Sequence, residues 1–448
     1  MKDKNLELMA NAPISKAVIT LAIPTVVNSL ISVVYNLTDT FFIGLLDDPI
    51  QLGAISLAFP IFLVIQAIST IFSVGAPSYI SRCLGAQEYE KVKKTSSVAF
   101  YGVTIIMLAL TALFFLFEGP ILTVMGTTAE NIAATKAYTD VIALFSFTIG
   151  IQIVLPCLLR AEGKVKEAAI GMMIGAITNI LLDPVFIFVF RMGATGAAWA
   201  TIIGNVAAVI YCITVIKKGN TYTSISLHDF RPTKKIVLEI VQIGVPSSIT
   251  NFVMSFANIM LNNFASNYGN SAVSAVGVSG KMMSIITMVI GGYVIGYLPL
   301  AGYNYGAGNI KRLQKAFWFT AISSTVFGII LMIPFALLGP AFMRAFTSDK
   351  EIIELGVHCL YIYVFCLPVL GMQYTVTSTC QAVGKALSAM ISNLGRQGIF
   401  YIPALILFDK IWGFFGLMYA QVVADYLAVI LAILLALPLI RWLSRKEI

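Results

Sequence analysis

Two carboxylates stand deep in apolar sequence: Asp39, within the stretch from Ala17 to Leu46, and Asp183, in a second stretch that runs on to Phe190. An ionisable group at bilayer depth costs roughly 2.5–3.5 kcal/mol at least, so it faces a wet cavity or a partner and normally does work. On a helix, Tyr35 and Asn36 lie four and three residues before Asp39 and share its face, and Asn28 extends the same stripe. Asn179 and Asp183 are four apart and point the same way. Pro184 donates no backbone hydrogen, so it kinks the helix and releases the carbonyl of Ile180 beside the acid. Thr201 and Asn205, again four apart, add a hydroxyl and an amide on the following span. Taken alone, Asn179, Thr201 and Asn205 read equally well as hydrogen-bonded glue between helices. Two lone carboxylates in one half of a chain are too costly for glue; together they can take up and release an ion as a pair.

The elements that position these groups follow from composition. The chain has 448 residues, 58% hydrophobic and 11% charged, with mean hydropathy +0.90. A soluble globule carries about 25% charged residues, so that class is excluded. Apolar windows predict an all-α integral membrane protein of about twelve spans. They lie near residues 17–46, 53–80, 95–117, 137–159, 167–190 and 196–216, then 236–266, 272–299, 313–337, 355–378, 386–408 and 413–440. This gives a first lobe over 1–216, a polar connection over 217–235 and a second lobe over 236–448. Lys and Arg fall in alternate loops with a bias of about four to one, which predicts both termini in the cytoplasm of a multi-pass membrane protein. Asp39 and Asp183 then share the outer half of the bilayer. The net charge of +8 is spread over these loops rather than one soluble face, so no nucleic-acid partner is expected. The segment from Met1 to Lys16 leads straight into the first span, with no cleavable signal expected.

The halves repeat at an offset of about 221 residues. Ile23-Pro24 answers Val245-Pro246, Asn36 answers Asn258, Gly163-Lys164 answers Gly384-Lys385, and Gly193 to Thr201 answers Gly413 to Gln421. Six spans per half make the repeats parallel, an architecture of secondary transporters that hold substrate between the two bundles.

The second half breaks the symmetry. The seventh span keeps a polar stripe of Asn251, Ser255, Asn258 and Asn262, but Leu261 falls where Asp39 would, and Ile402-Pro403 answers Asp183-Pro184. Lys281 and Arg396 lie at bilayer depth; snorkelling or a carbonyl partner is their first reading, with Asp425, one turn after Gln421, as a candidate partner for Arg396. Met172, Met173, Met282 and Met283 read as packing rather than a drug site. The six cysteines, without C-x-x-C spacing, read as buried hydrophobes. His228 and His358 are the only histidines; no nucleophile–base pair or Walker spacing is present, so neither an enzyme nor ATP use is expected.

The chain resembles the multidrug and toxic compound extrusion (MATE) transporters, most of all their bacterial DinF-like members, over nearly its whole length. The most specific stretches are Tyr35 to Gly44, Tyr79 to Ala86, Arg160 to Lys164 and Asn179 to Pro184. The resemblance implies two six-helix lobes around a central cleft, and antiport of amphiphilic, often cationic drugs against protons or sodium by alternating access. It implies that Asp39, Asn179, Asp183 and Thr201 form the coupling-ion site of the first lobe, a possible sodium site. The helix-face reading adds Tyr35, Asn36, Asn205, Pro184, Asn258 and Asn262 as supporting or cavity residues. The acids of the seventh and tenth helices that mark the sodium-linked branch are absent here, which favours protons. No cofactor other than the coupling ion is expected, and the working unit is expected to be a monomer. A lipid-linked oligosaccharide flippase of the same two-lobe plan is the rival transporter reading, though Lys281 and Arg396 alone are few charges for a pyrophosphate headgroup. An ion channel is the rival from another class.

Overall fold

The computed structural model describes residues 4–45, 48–219 and 221–445, except the side chains of Asn36, Asp39, Thr40 and residues 438–445. Among the described residues there is no strand. The helices are α1 (Lys4–Asn11), α2 (Ile14–Gly44), α3 (Pro49–Gly85), α4 (Tyr89–Leu116), α5 (Glu118–Val124), α6 (Ile132–Leu144), α7 (Ser146–Ala161), α8 (Val165–Pro184), α9 (Gly193–Lys217), α10 (Lys234–Ser266), α11 (Asn270–Gly306), α12 (Ile310–Phe346), α13 (Lys350–Tyr363), α14 (Leu367–Ala382), α15 (Ala386–Leu394) and α16 (Tyr401–Arg445).

Among the described residues, ten segments are long and apolar enough to span a membrane, and α6 with α7 makes an eleventh across a 48° bend. The last of the ten, Ala386–Leu437, leaves helical geometry at Gly413 (φ 59°, ψ −141°), which divides it into two spans and brings the count to the expected twelve. The protein is a multi-pass membrane protein. The repeat is visible in backbone detail: Gly163 and Gly384 share φ values of 81° and 83°, and Gly193 and Gly413 of 55° and 59°. These left-handed positions are the ones that favour glycine.

By packing, the chain divides into one unit of Val27–Ser248 and another of Met1–Val26 with Ile249–Ile448. The division falls inside α2 and α10, close to Pro24 and Pro246, and not in the connections at 216 and 236 suggested by hydropathy. Close backbone crossings explain it. In the first unit, a Cβ on Gly244 would sit 2.0 Å from the Ile71 carbonyl oxygen, and one on Gly75 2.1 Å from that of Ile240. In the second, a Cβ on Gly296 would sit 2.6 Å from the Ala22 Cα. Only glycine permits such approaches, and they commit the first half of each proline-bearing helix to the unit formed by the other repeat. α1 is held in the same manner: Arg312 donates to the carbonyls of Met9 (3.0 Å) and Ala12 (2.5 Å), and Asn304 to Met9 (3.2 Å).

In the first unit the connection after α9 is strapped down. The Ser224 N–H donates to Ser96 Oγ (2.9 Å), Tyr101 donates to the Ile225 carbonyl (3.0 Å), and Tyr222 stacks on Tyr89. Between α7 and α8, fully buried Glu162 accepts the Tyr222 N–H at 2.7 Å. Burial raises its carboxyl from 4.5 to about 7, against the opposing pull of the Tyr222 N–H and Lys164. The unfolded chain therefore ionises first as pH rises. Stability is greatest below about 4.5 and is lost as pH passes about 7, a span worth about 3 kcal/mol. Thermal unfolding in detergent should fall accordingly between pH 5 and pH 8, and Glu162→Gln should flatten that dependence.

Candidate functional site

The site forms where α8 and α9 cross within the first unit. Gly175 and Gly204 make the crossing tight: a Cβ on Gly204 would lie 2.6 Å from the Gly175 carbonyl oxygen and 3.2 Å from the Asn179 Cβ. This approach brings the polar face of α8 onto that of α9. Asn179 Nδ2 donates to Thr201 Oγ1 at 3.2 Å and to Asp183 Oδ1, four residues on, at 3.4 Å. Asn179 and Asp183 are 2% and 0% exposed, and Thr201 is half-buried. The Asn179 Oδ1 is wholly buried and finds no hydrogen-bond partner among the described residues. A buried acceptor left without a partner costs about 1–3 kcal/mol.

Pro184 marks a change of helix type. It ends α8, and the chain continues as a wide π-helical turn over Val185–Val189, in which the Phe190 N–H reaches back five residues to the Val185 carbonyl at 2.9 Å. Such turns occur where a helix has lost a regular backbone bond, often at functional positions. At the far end of the turn, Gln51 Oε1 accepts the Ala194 N–H at 2.9 Å and ties α3 to the start of α9. Nothing in the spacing of Gln51 announced that role.

The structure thus brings together Asn179, Asp183 and Thr201. Asn205 is half-buried and makes no hydrogen bond among the described residues. Tyr35 is half-buried on α2; the side chains of Asp39 and Asn36 lie outside the described residues. In the second unit, Asn258 and Asn262 are exposed, while Asn251 and Ser255 are half-buried. No cluster of three or more His, Cys, Asp or Glu is present among the described residues. The oxygens on hand at Asn179, Asp183 and Thr201 are hard donors, suited to a proton or an alkali cation.

The α8–α9 contact gives a direct test. Gly204→Val should push the helices apart, part Asn179 from Thr201, and cost about 1–3 kcal/mol of stability. Transport measured in reconstituted vesicles should fall more steeply than the melting temperature, with Gly204→Ala intermediate.

The second unit carries a different polar centre. Arg396 sits in a π-helical turn, Gly395–Ile399, and does not snorkel. Its Nε donates to Asp425 Oδ1 at 2.8 Å and its Nη1 to the Tyr374 hydroxyl at 3.1 Å, over whose ring it lies at 5.5 Å. Gln421 Nε2 donates to the same Asp425 oxygen at 2.8 Å. The pairing of Arg396 with Asp425 raised from the sequence is present, and the carbonyl-partner reading is not. Lys281 is exposed on α11; Met282 and Met283 are buried in packing.

A bundle of spans built from two sequence repeats is the architecture of a membrane transporter. The MatE family model matches residues 24–185 and again 246–407, one stretch in each half. The chain belongs to the MatE family. It is 32% identical over 437 residues to the multidrug export protein MepA of Staphylococcus aureus, covering 97% of this chain and 96% of that one. The same-named protein of Staphylococcus saprophyticus is 29% identical over the same coverage. Among solved structures, a multidrug resistance MATE family transporter in an outward-facing conformation has a TM-score of 0.93 at 24% identity, covering 99% of both chains. A MOP superfamily transporter from Pyrococcus furiosus has a TM-score of 0.91 at 24% identity, covering 98% of this chain and 99% of that one. These structures share the fold.

Proposed function

We propose that this protein is a secondary active exporter that moves amphiphilic, often cationic organic compounds out of the cell against inward protons or sodium, as a monomer and without ATP. Asp183 and Asp39 carry the coupling ion, Asn179 and Thr201 orient the carboxylate or ligate sodium through oxygen, and Tyr35, Asn36 and Asn205 line the approach. Both termini lie in the cytoplasm of the bacterial plasma membrane. The observation that carries this reading is the cluster of Asn179, Asp183 and Thr201, in which the buried Asn179 Oδ1 has no hydrogen-bond partner among the described residues. Relatives named as multidrug export proteins support the substrate class. Ionised, Asp183 favours a cationic substrate; protonated or sodium-bound, it releases it. The missing acids of the seventh and tenth spans favour protons.

The test is efflux of a fluorescent organic cation from proteoliposomes under an imposed pH gradient, compared with an imposed sodium gradient. Accumulation driven by the pH gradient alone supports proton coupling; accumulation driven by sodium alone moves the coupling ion to sodium. Flux that neither gradient can drive uphill sinks the antiporter reading.

A further inference from the structure

A cavity lies in the unit Val27–Ser248, with no lining residue from α2, α8 or α9. It is a cleft of about 570 Å³ walled by Pro60 and Val64 of α3, Phe114 of α4, Ile121 of α5, and Ala143 and Ser146 on either side of the break between α6 and α7. Its origin is geometric. The chain turns between α4 and α5 at Phe117 and bends 48° between α6 and α7, so these helices splay and leave a gap that side chains do not fill.

The chemistry of the gap selects its occupant. Its hydroxyls are spent: Thr111 donates to the Ala143 carbonyl (2.6 Å), shares a hydrogen bond with Ser146 Oγ (3.0 Å), and Ser146 reaches the Met107 carbonyl (3.3 Å). Water needs two to four polar partners to occupy a cavity, and the lining offers only these two hydroxyls, both already engaged, among its side chains. A void left empty would forfeit the dispersion contacts of its whole lining. The mouth is framed by apolar side chains of the spans, with Val64 42%, Leu113 50% and Val124 89% exposed, while Ile65 and Phe114 at the base are 3% and 7% exposed. Next to it in the chain stands a cluster of alternating charge. Lys136 pairs with Glu118, which directly follows Phe117, and with Asp140 at 3.3 Å, one turn before Ala143. A cation between two carboxylates complements a headgroup that carries both a phosphate and an ammonium.

We propose that this cleft seats one acyl chain of a zwitterionic phospholipid, with its headgroup at Lys136, Glu118 and Asp140. The chain fills the wedge behind the bend of the fourth span and props that bend open.

The full-length protein is reconstituted in phosphatidylethanolamine vesicles with a trace of phosphatidylethanolamine bearing a mid-chain diazirine, irradiated, and the adducts mapped by mass spectrometry. Adducts are expected on Ile65 and Phe114, which lipid at the outer surface does not reach. Val64→Trp and Leu113→Trp fill the cleft from two different helices at partly exposed positions. Each should cut those adducts about tenfold while adducts on exposed Ile330 stay unchanged. Lys136→Gln should reduce them by a smaller factor. Adducts confined to exposed side chains, or adducts on Ile65 and Phe114 that persist in both tryptophan variants, overturn the proposal. So does their displacement by an organic cation such as tetraphenylphosphonium with no lipid retained, which would make the cleft a drug seat.

Discussion

Asp183→Asn is expected to abolish gradient-driven efflux while leaving the protein folded. Asparagine has nearly the shape of aspartate and retains an acceptor for the Asn179 amide, whose bond to Asp183 Oδ1 spans 3.4 Å. It cannot bind and release a proton, and it offers sodium a dipole where the native site offers a charge. The driving force at stake is roughly 2.3 kcal/mol per charge per 100 mV, close to fifty-fold accumulation for each charge moved. The variant should therefore equilibrate its substrate to a ratio of one. Asp183 is fully buried and asparagine nearly preserves its volume, so the melting temperature should stay close to the parent's. Loss of activity with undiminished stability is the signature of a residue kept for exchange rather than packing. Asp183→Asn protein that still concentrates substrate under a gradient would remove Asp183 from the coupling step.

How far the sequence reaches is clear from where it stops. The i,i+4 spacing of Asn179 and Asp183, and the pairing of Thr201 with Asn205, could be read because a helix fixes its own faces. That Asn179 meets Thr201 and not Asn205 depends on how closely α8 and α9 cross, which Gly175 and Gly204 decide. Glu162 escaped notice because a lone acid between Arg160 and Lys164 in a short connection reads as solvated charge. Its burial comes from Tyr222, sixty residues away in the chain. Pro24 and Pro246 announced themselves as a repeated pair, yet which bundle each half-helix joins is a tertiary choice, set by the crossings at Gly75, Gly244 and Gly296. The break at Phe145 has no proline or glycine to mark it. Arg396 was ambiguous for the same reason: spacing alone does not say whether a long cation reaches water or a carboxylate.

The Arg396–Asp425 pair should show a large stability effect. Asp425 is 1% exposed and the Arg396 side chain 13%, so breaking the pair from either side leaves an uncompensated buried charge, a loss of about 3–5 kcal/mol. In Arg396→Gln the stranded group is the carboxylate, and in Asp425→Asn it is the guanidinium, so each single variant should melt well below the parent. The double variant Arg396→Gln with Asp425→Asn strands no charge and still offers Gln421 and Tyr374 polar partners. It should recover most of the stability, giving a coupling energy of about 2–3 kcal/mol in a double-mutant cycle followed by thermal unfolding in detergent. Losses that simply add in the double variant would mean that each side chain is held by its other neighbours.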